Sequence, residues 1–237
     1  MMTAMKQASS LFIFGTGSLA KLAYIYANEA LSEEAGGTGA SLRVEGFVVD
    51  QSAMQTKLFC DLPVLSWEAF LKTHQTSQAR LFVAIGYKSM RSRAEVFERV
   101  RQSGYSMVNI IAPSTYVAKD CAIGTNNIVM PGTVLEPGTR IGDNNVFWSN
   151  TTICHDTLIG DHCFFASNTT VGGEVRIGSR NFFGFTSTVL HRRQIGDDNL
   201  IAAQALIIKD IGSAGHHVGS PAKKTKDIDP AKGVSIE

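Results

Sequence analysis

The sequence predicts a small parallel α/β domain followed by a triangular β solenoid. A strict period of six predicts the solenoid, because every sixth residue from Val117 to Ile207 is aliphatic or Phe. Ile-Gly pairs that begin at 123, 141, 159, 177 and 195 add a second period of eighteen. Three hexads therefore make one coil, each side of the coil is a short strand, and residues eighteen apart are stacked neighbours.

The hexads carry small or short polar side chains four residues after the apolar anchor, as at Thr133, Thr151 and Thr169. We expect a wider side chain not to fit beneath the next coil. The corners between strands are expected to hold Gly, Asn or Asp, which tolerate tight-turn backbone conformations. A strict period of six residues matches neither the alternation of a β-strand nor the spacing of an α-helix.

Residues 8 to 110 follow another pattern. A buried strand is predicted at Leu11–Phe14, and a helix continues to about Glu29. Further strands are predicted over 44–50 and 81–85, and a charged amphipathic helix over 89–102. This alternation of strands and helices predicts a parallel sheet.

Two domains are expected, over residues 1–112 and 113–237. A segment rich in Gly, Ser and Thr over 35–41 is predicted to be a mobile loop. The formal net charge of +1 gives no broad field for nucleic acid or an anionic membrane. The apolar runs are too short to span a bilayer and the first residues lack a signal-peptide pattern, so a cytoplasmic protein is expected.

Four cysteines occur without a Cys-x-x-Cys pair or a metal-ligand spacing: Cys60, Cys121, Cys154 and Cys163. Cys121 and Cys163 occupy the small-residue position of the hexad, which indicates packing. Cys154 precedes a candidate catalytic histidine, and a structural role is favoured there too. A disulfide framework is not expected.

A glycine motif, Gly15-x-Gly17-x-x-Ala20, follows the first predicted strand and opens the first helix. Backbone N–H groups and a helix N-terminus in that position suit a phosphate. Close packing of strand against helix is the alternative. Asp50 ends the second strand but lies thirty residues past Ala20, farther than is usual for an acid that binds ribose.

The uninterrupted repeat [Leu/Ile/Val]-Gly-x-x-[small]-x over roughly residues 115–224 resembles the hexapeptide-repeat acyltransferases, which have a left-handed parallel β-helix. With the glycine turn before it, the chain resembles the sugar O/N-acyltransferases related to sialic-acid O-acetyltransferases and nucleotide-aminosugar N-acetyltransferases. The resemblance implies a Rossmann-like first domain that holds a nucleotide-linked sugar. It also implies a β-helix that holds acetyl-CoA, and a homotrimer.

His155 lies two residues after anchor Ile153, and one coil along its column is Gly173. Because stacked strands lie about 4.8 Å apart, both residues can face one small volume. The resemblance implies that His155 is the general base, that Asp156 is its acidic neighbour and that the Gly173 amide meets the acetyl carbonyl.

The resemblance also implies the binding residues. Those implied to face the nucleotide are Gly15, Thr16, Gly17, Asp50, Gly86, Tyr87 and Lys88. The tail from Val218 to Lys224 is similar to the Gly-x-Pro-Ala-Lys closure of the family, although a solvated basic tail is the alternative. With Gly173, the residues expected at coenzyme A are His191, Lys209, Gly219, Pro221 and Lys223.

Some features depart from the family or stay open. The family's second histidine corresponds to Phe164, and His162 lies two residues earlier. His74, His216 and His217 are expected at the surface.

Several functions compete. Acetylation of a sugar hydroxyl would use the same base and cosubstrate, and no residue separates it from amine acetylation. A scaffold role is a further alternative. β-Helix carbonic anhydrases bind zinc through histidines spaced thirty-six and then five residues apart, which matches His155 and His191, but the third position is Gly196. No metal is therefore expected.

Overall fold

A computed structural model describes residues 10–34, 43–86 and 88–236, without the side chains of residues 31–34. The loop expected over 35–41, and Tyr87, lie outside the described residues. The described residues form two compact units. One comprises those up to Gly86 with Glu98–Pro113, and the other comprises those from Lys88 to Phe97 with the chain from Ser114 onward.

The first unit is built on a parallel sheet. Its elements are β1 (Ser10–Phe14), α1 (Ser18–Glu34), β2 (Arg43–Val49), a 3₁₀ turn (Gln51–Ala53), β3 (Leu58–Phe59), β4 (Leu62–Ser66), α2 (Trp67–Thr73), β5 (Ala79–Val83), the end of α3 (Met90–Gln102), β6 (Ser106–Met107) and β7 (Ile110–Ile111). The order in the sheet is β3-β4-β2-β1-β5-β6, and only β3 is antiparallel to its neighbour. Without that short edge strand, the order runs third, second, first, fourth, fifth, as in doubly wound nucleotide-binding sheets.

The predicted strands and helices of this unit are present with shifted ends. Helix α1 extends past the expected Glu29 to Glu34. Strand β4 and helix α2 were not expected from the sequence. Ser66 caps α2 by accepting a hydrogen bond from the N–H of Ala69 at 3.2 Å, and the first helical residue, Trp67, is buried.

The second unit is a three-sided solenoid. Its two-residue strands, β8 to β23, are Tyr116–Val117, Ala122–Ile123, Ile128–Val129, Val134–Leu135, Arg140–Ile141, Val146–Phe147, Thr152–Ile153, Leu158–Ile159, Phe164–Phe165, Thr170–Val171, Arg176–Ile177, Phe182–Phe183, Thr188–Val189, Gln194–Ile195, Leu200–Ile201 and Leu206–Ile207. An antiparallel hairpin of β24 (Gly215–Val218) and β25 (Lys223–Asp227) follows.

The strands of the solenoid stack in three parallel sheets. Each strand from β8 to β20 pairs with the strand three places later, eighteen residues along the chain, as in Thr152 with Thr170. The last solenoid strand of one sheet, β22, pairs instead with β24 of the hairpin. The anchors face inward, and Phe147, Phe165 and Phe183 stack in one column with ring centroids 5.0 and 4.7 Å apart. The predicted periods of six and eighteen thus correspond to the side and the coil.

A left-handed residue recurs at each corner. The third residue after each anchor has a positive φ in every hexad from Asn126 to Gln204. Glu174, Arg180 and Arg192 also adopt this conformation, although only Gly, Asn and Asp were expected at the corners. The cost is about 1–2 kcal/mol per residue. Inter-coil hydrogen bonds offset it, since the N–H of Arg192 donates to Gly173 O at 2.9 Å.

The Ile-Gly pairs have a spatial cause. A Cβ on Gly142 would collide with Oδ1 of Asp161 in the next coil. That same oxygen accepts the N–H of Asp143 at 2.7 Å. Glycine therefore makes room for a carboxylate that ties two coils together.

The small or short polar side chains four residues after the anchors also form hydrogen bonds. Asn127 Oδ1 accepts the N–H of Asn145 at 2.8 Å, and the Asn145 amide donates to Gly160 O at 3.0 Å. These buried polar side chains pair with the backbone of neighbouring coils, which offsets the cost of burying them.

The division into units differs from the expected boundary at residue 112. Residues 88–97 belong with the solenoid, because the fully buried Arg93 guanidinium donates to Asn144 O at 2.9 Å. Burial lowers the pKa of Arg93 to about 10. None of the helices in the described ranges is long and apolar enough to cross a membrane.

Candidate active site

His155 lies in the turn between β14 and β15. Its Nδ1 is 2.9 Å from Oδ2 of Asp156, whose left-handed backbone holds the carboxylate beside the ring. A carboxylate accepts hydrogen bonds, so we assign the ring proton to Nδ1. The other ring nitrogen, Nε2, then carries a lone pair and can take up a proton.

The imidazole of His155 lies against the backbone of Gly173 in the next coil. A Cβ at position 173 would be 2.6 Å from Nε2 and 2.7 Å from Cε1 of the ring. The backbone φ of Gly173 is not in the left-handed region, so the glycine is required for space alone. The structure thus brings together the three residues that the sequence nominated for the chemistry.

The two backbone amides at this corner differ. The N–H of His155 donates to Oε2 of Glu136 in the preceding coil at 2.8 Å. The N–H of Gly173, which is buried, donates to none of the described residues. A buried amide without a partner calls for an explanation, and a ligand oxygen would satisfy it. Sequence reasoning missed Glu136, although it stands eighteen residues before Cys154 and hence beneath it.

Three carboxylates shape the electrostatics of the corner. The hydrogen bond to Asp156 raises the pKa of His155 above its ordinary value, and the negative charges of Asp156, Glu136 and Glu174 add to this. Loss of hydration acts in the opposite direction. The ring is 56 % exposed. Because its pKa is raised, the ring loses its proton and becomes a competent base at a higher pH than an ordinary histidine.

The cysteines are poor nucleophiles. Burial is the main cause that raises the pKa of the Cys154 thiol, and the charge of Glu136 adds to it. Burial raises the pKa of Cys163 to about 12. A thiol with a raised pKa carries little thiolate at neutral pH, so Cys154 and Cys163 are packing residues.

A column of residues continues from His155 along the solenoid. Gly173, His191 and Lys209 follow at intervals of eighteen, and the side chains of His191 and Lys209 are exposed. The Gly219–Ala222 segment stacks over β23, because Gly219 O accepts the N–H of Leu206 at 3.0 Å. Four steps of about 4.8 Å separate it from the His155 coil, roughly 19 Å in all. Pro221 and Lys223 are exposed there.

A polar cleft of about 320 Å³ lies beside Asp156. Arg176, Arg192 and Arg193 contribute to its wall. Arg192 pairs with Glu174 at 3.0 Å, so that its charge is partly neutralised. A larger cleft of about 850 Å³ runs over the sheet formed by β9, β12, β15, β18 and β21.

In the first unit, the predicted nucleotide residues lie at the carboxyl ends of adjacent strands. Gly15 follows β1, Asp50 follows β2 and Gly86 comes three residues after β5. Because β2, β1 and β5 are neighbours, these residues occupy one edge of the sheet. In parallel sheets the crevice at this edge binds ligands where the strand order reverses, which here is between β1 and β5.

The glycines of this edge differ in their constraints. Gly15 has φ +127°, and a Cβ on it would lie 2.9 Å from Ala84 O. A Cβ on Gly17 would meet no atom within 4 Å. Gly15 is therefore structural, whereas Gly17, next to the half-buried Thr16, borders open space.

Two other predicted residues have partners of their own. Asp50 binds the guanidinium of Arg99 at 2.8 and 3.1 Å, and that guanidinium lies 5.3 Å above the Phe14 ring. Lys88 belongs to the second unit, where its carbonyl accepts hydrogen bonds from Ser235 Oγ and from the N–H of Ile236.

His74, His216 and His217 were expected at the surface, and this is wrong for His217, whereas His74 and His216 are half-buried. His217 is 5 % exposed, and burial with the nearby Lys224 lowers its pKa. His74 stacks on Phe70. His162 is buried, with Nδ1 3.0 Å from the Asn144 amide nitrogen. The contact of His162 with Asn144 joins residues eighteen apart, one full coil of the solenoid.

The described part of the chain contains no group of three or more His, Cys, Asp or Glu side chains arranged to hold a metal ion. His155 and His191 share a column with Gly173 between them. The third position of the zinc pattern is a glycine.

Comparison with known proteins shows which class of protein this chain resembles. Residues 138–173 match the family model described as bacterial transferase hexapeptide (six repeats). No curated protein sequence matches the chain significantly. Together with the coil register, this match confirms the predicted resemblance to hexapeptide-repeat sugar acyltransferases.

Individual solved structures make the likeness more specific. PerB from Caulobacter crescentus, solved in complex with CoA and GDP-perosamine, is 26 % identical with a TM-score of 0.79, over 92 % of this chain and 98 % of that one. A histidine-to-asparagine mutant of perosamine N-acetyltransferase from the same organism is 25 % identical with a TM-score of 0.81 over the same shares. The acetyltransferase domain of PglB from Neisseria gonorrhoeae FA1090, in complex with acetyl coenzyme A, is 22 % identical with a TM-score of 0.78, over 91 % and 98 %. At 22 % identity, the similarity to the PglB domain shows a shared fold only.

Proposed function

We propose that this protein is an acetyl-CoA-dependent N-acetyltransferase that acts on the amino group of a nucleotide-linked amino sugar. The observation that carries the proposal is the placement of His155 Nε2 against Gly173, whose buried amide has no partner among the described residues. A base and an oxyanion donor thus face one small volume. The likeness to perosamine N-acetyltransferase supports an amine rather than a hydroxyl acceptor.

The chemistry follows from this geometry. The sugar amine attacks the thioester carbonyl while Nε2 of His155 takes its proton, which is general-base catalysis. A nitrogen–carbon bond forms and the carbonyl electrons move to oxygen, where the Gly173 amide stabilises the charge. The carbon–sulfur bond then breaks, and the coenzyme A thiolate receives the proton from the imidazolium.

Asp156 orients this base. Its carboxylate accepts the Nδ1 proton at 2.9 Å, which keeps the Nε2 lone pair directed at the substrate and stabilises the imidazolium that forms.

Acetyl-CoA extends along the His155 column in this proposal. The thioester lies at Gly173, and the arm passes His191 and Lys209 toward the Gly219–Lys223 segment, roughly 19 Å away. Exposed lysines there suit phosphate groups. The relative PerB was solved with coenzyme A, which supports this cosubstrate.

The nucleotide-linked sugar uses the first unit, which we take as a Rossmann-like domain. Gly15, Thr16 and Gly17 open helix α1, where backbone N–H groups suit a phosphate. Asp50 and Gly86 flank this position at the ends of the two strands beside β1. We therefore propose one substrate for each domain.

A thiol-release assay with acetyl-CoA and a panel of nucleotide-linked sugars tests the function. The panel pairs each amino sugar with the sugar that carries a hydroxyl at the same carbon. Turnover of amino sugars alone is the expected result. Turnover of hydroxyl sugars alone would contradict the proposal.

A further inference from the structure

Glu136 reaches from one coil to the next. It follows β11, and its Oε2 accepts the backbone N–H of His155 at 2.8 Å. The Glu136 carboxylate also lies beside the Cys154 thiol, so it occupies the space under the turn that carries the ring. A hydrogen bond from an amide to a charged carboxylate is stronger than one between neutral groups.

The hydrogen bond from the His155 N–H to Glu136 occupies one of two backbone amides that hold equivalent places in successive coils. His155 and Gly173 occupy the same place in successive coils, two residues after their anchors Ile153 and Val171. Glu136 takes the first amide, and the second has no partner among residues 10–34, 43–86 and 88–236. The Gly173 amide is therefore left for a developing oxyanion, on the residue that packs against the ring.

The charged and titratable groups around the ring come from four coils. Glu136 lies in the preceding coil, Asp156 and Cys154 in the same coil, Glu174 in the next coil and His191 in the one after. The Arg192 guanidinium neutralises part of the Glu174 charge at 3.0 Å. The Glu136 carboxylate hydrogen-bonds the His155 backbone and also contributes negative charge to the ring. Glu174 contacts that backbone through its own N–H, which donates to His155 O at 2.9 Å, while its carboxylate contributes charge only.

We propose that Glu136 is a positioning residue of the acetyl-transfer site: it fixes the His155 backbone to the preceding coil and so holds the ring against Gly173, whose amide faces the acyl oxygen. This inference rests on the proposed function. Glu136 touches neither substrate nor reacting atoms, so its effect passes through His155.

Two substitutions separate charge from hydrogen bond. Glu136→Gln keeps an oxygen that accepts the His155 N–H but removes the charge. Glu136→Ala removes both. The matched control is Asp143, whose Oδ1 accepts the N–H of Thr125 at 2.7 Å in an equivalent inter-coil bond at another corner. Asp143→Asn and Asp143→Ala measure what such a bond contributes to stability alone.

The first readout needs no turnover. NMR titration of the His155 ring should show a lower pKa in both Glu136 variants and an unchanged pKa in the Asp143 variants. Hydrogen exchange at the His155 amide should accelerate in Glu136→Ala and stay slow in Glu136→Gln. An unmoved pKa and unchanged exchange in Glu136→Ala would overturn the proposal.

The second readout is kinetic, at a pH where the ring is neutral. Glu136→Ala should lose about tenfold to a hundredfold in kcat with both KM values near those of the wild type, because a small misplacement of a catalytic group is costly. Glu136→Gln should retain most of the rate, and wild-type kcat in Glu136→Ala would contradict the role. If the wild type acetylated no acceptor, the proposed function would fall, while the titration and the exchange would still decide whether Glu136 holds the corner.

Discussion

The position of the His155 ring depends on Gly173 in the next coil and on Asp156, the next residue along the chain. Gly173 leaves the space that the imidazole fills, and Asp156 accepts its Nδ1 proton. The contact with Asp156 is local in the sequence, whereas Gly173 is a neighbour of His155 only through the stacking of the coils. The period of eighteen makes this neighbour predictable, since it stacks position 173 on position 155.

Gly173→Ala tests the space under the ring. The added methyl would lie 2.6 Å from Nε2, so the imidazole must move away from its place. We expect kcat to fall about a hundredfold, as misplacing a catalytic group by about 1 Å costs on that order. Steady-state kinetics with a melting curve will check it. An active enzyme with normal kcat would show that the contact is dispensable.

Gly17→Val tests the nucleotide edge. Because a Cβ at position 17 meets no atom within 4 Å, the substitution should leave the fold intact while it blocks an approaching phosphate. KM for the nucleotide sugar should rise and KM for acetyl-CoA should stay the same. Equal loss of both affinities would point to misfolding, and Gly15→Val, strained by its φ of +127°, provides the example of that outcome.

At the scale of the element, the solenoid was predictable and parts of the first domain were not. A period of six repeats the same contacts in each coil, so the sequence pattern that predicts these contacts recurs many times along the chain. Helix α2 and strand β4 occur once, and tertiary packing around Trp67 decides them. The sequence did not predict the contact of Glu136 with His155, nineteen residues away, or the pairing of Asp50 with Arg99, forty-nine residues away.

Gly142→Ala tests the inter-coil ladder. The new Cβ would collide with Oδ1 of Asp161 and lie 3.0 Å from Gly160 O, so the coils must separate locally. Overpacking of this kind costs about 1–3 kcal/mol. Gly212→Ala is the control, because no atom lies within 4 Å of that position. Chemical denaturation should show the loss for the first variant alone, and equal stability of the two variants would contradict the ladder.

At the scale of the whole molecule, the predicted homotrimer remains a prediction. Large apolar side chains stand exposed on the solenoid unit, among them Tyr116 at 57 % and Phe185 at 59 %. Leu190 and Ile208 add to them one above the other. Exposed apolar surface of this kind marks association sites.

Light scattering at micromolar concentration should therefore give three times the mass of one chain. Phe185→Glu should shift the mass toward the monomer without a change in the fold, since the side chain is exposed. A monomeric wild-type protein would contradict the trimer.

The pH dependence of turnover belongs to the same scale, because carboxylates from three coils act on one ring. Since the pKa of His155 is raised, kcat/KM should rise with pH through a midpoint above the ordinary histidine value of 6.5. The ring acts as a base only when neutral, so the acid side is inactive. A midpoint below that value would contradict the electrostatics described.

The most direct measurement is the turnover of His155→Ala with a confirmed acceptor at saturating acetyl-CoA. A general base contributes on the order of 10²–10⁴ in rate. The ring is more than half exposed, so its removal should leave the melting temperature and the acetyl-CoA affinity close to those of the wild type. The account predicts at least a hundredfold loss of kcat, together with loss of the titration near neutral pH. Unchanged turnover in a folded variant that binds acetyl-CoA would contradict it.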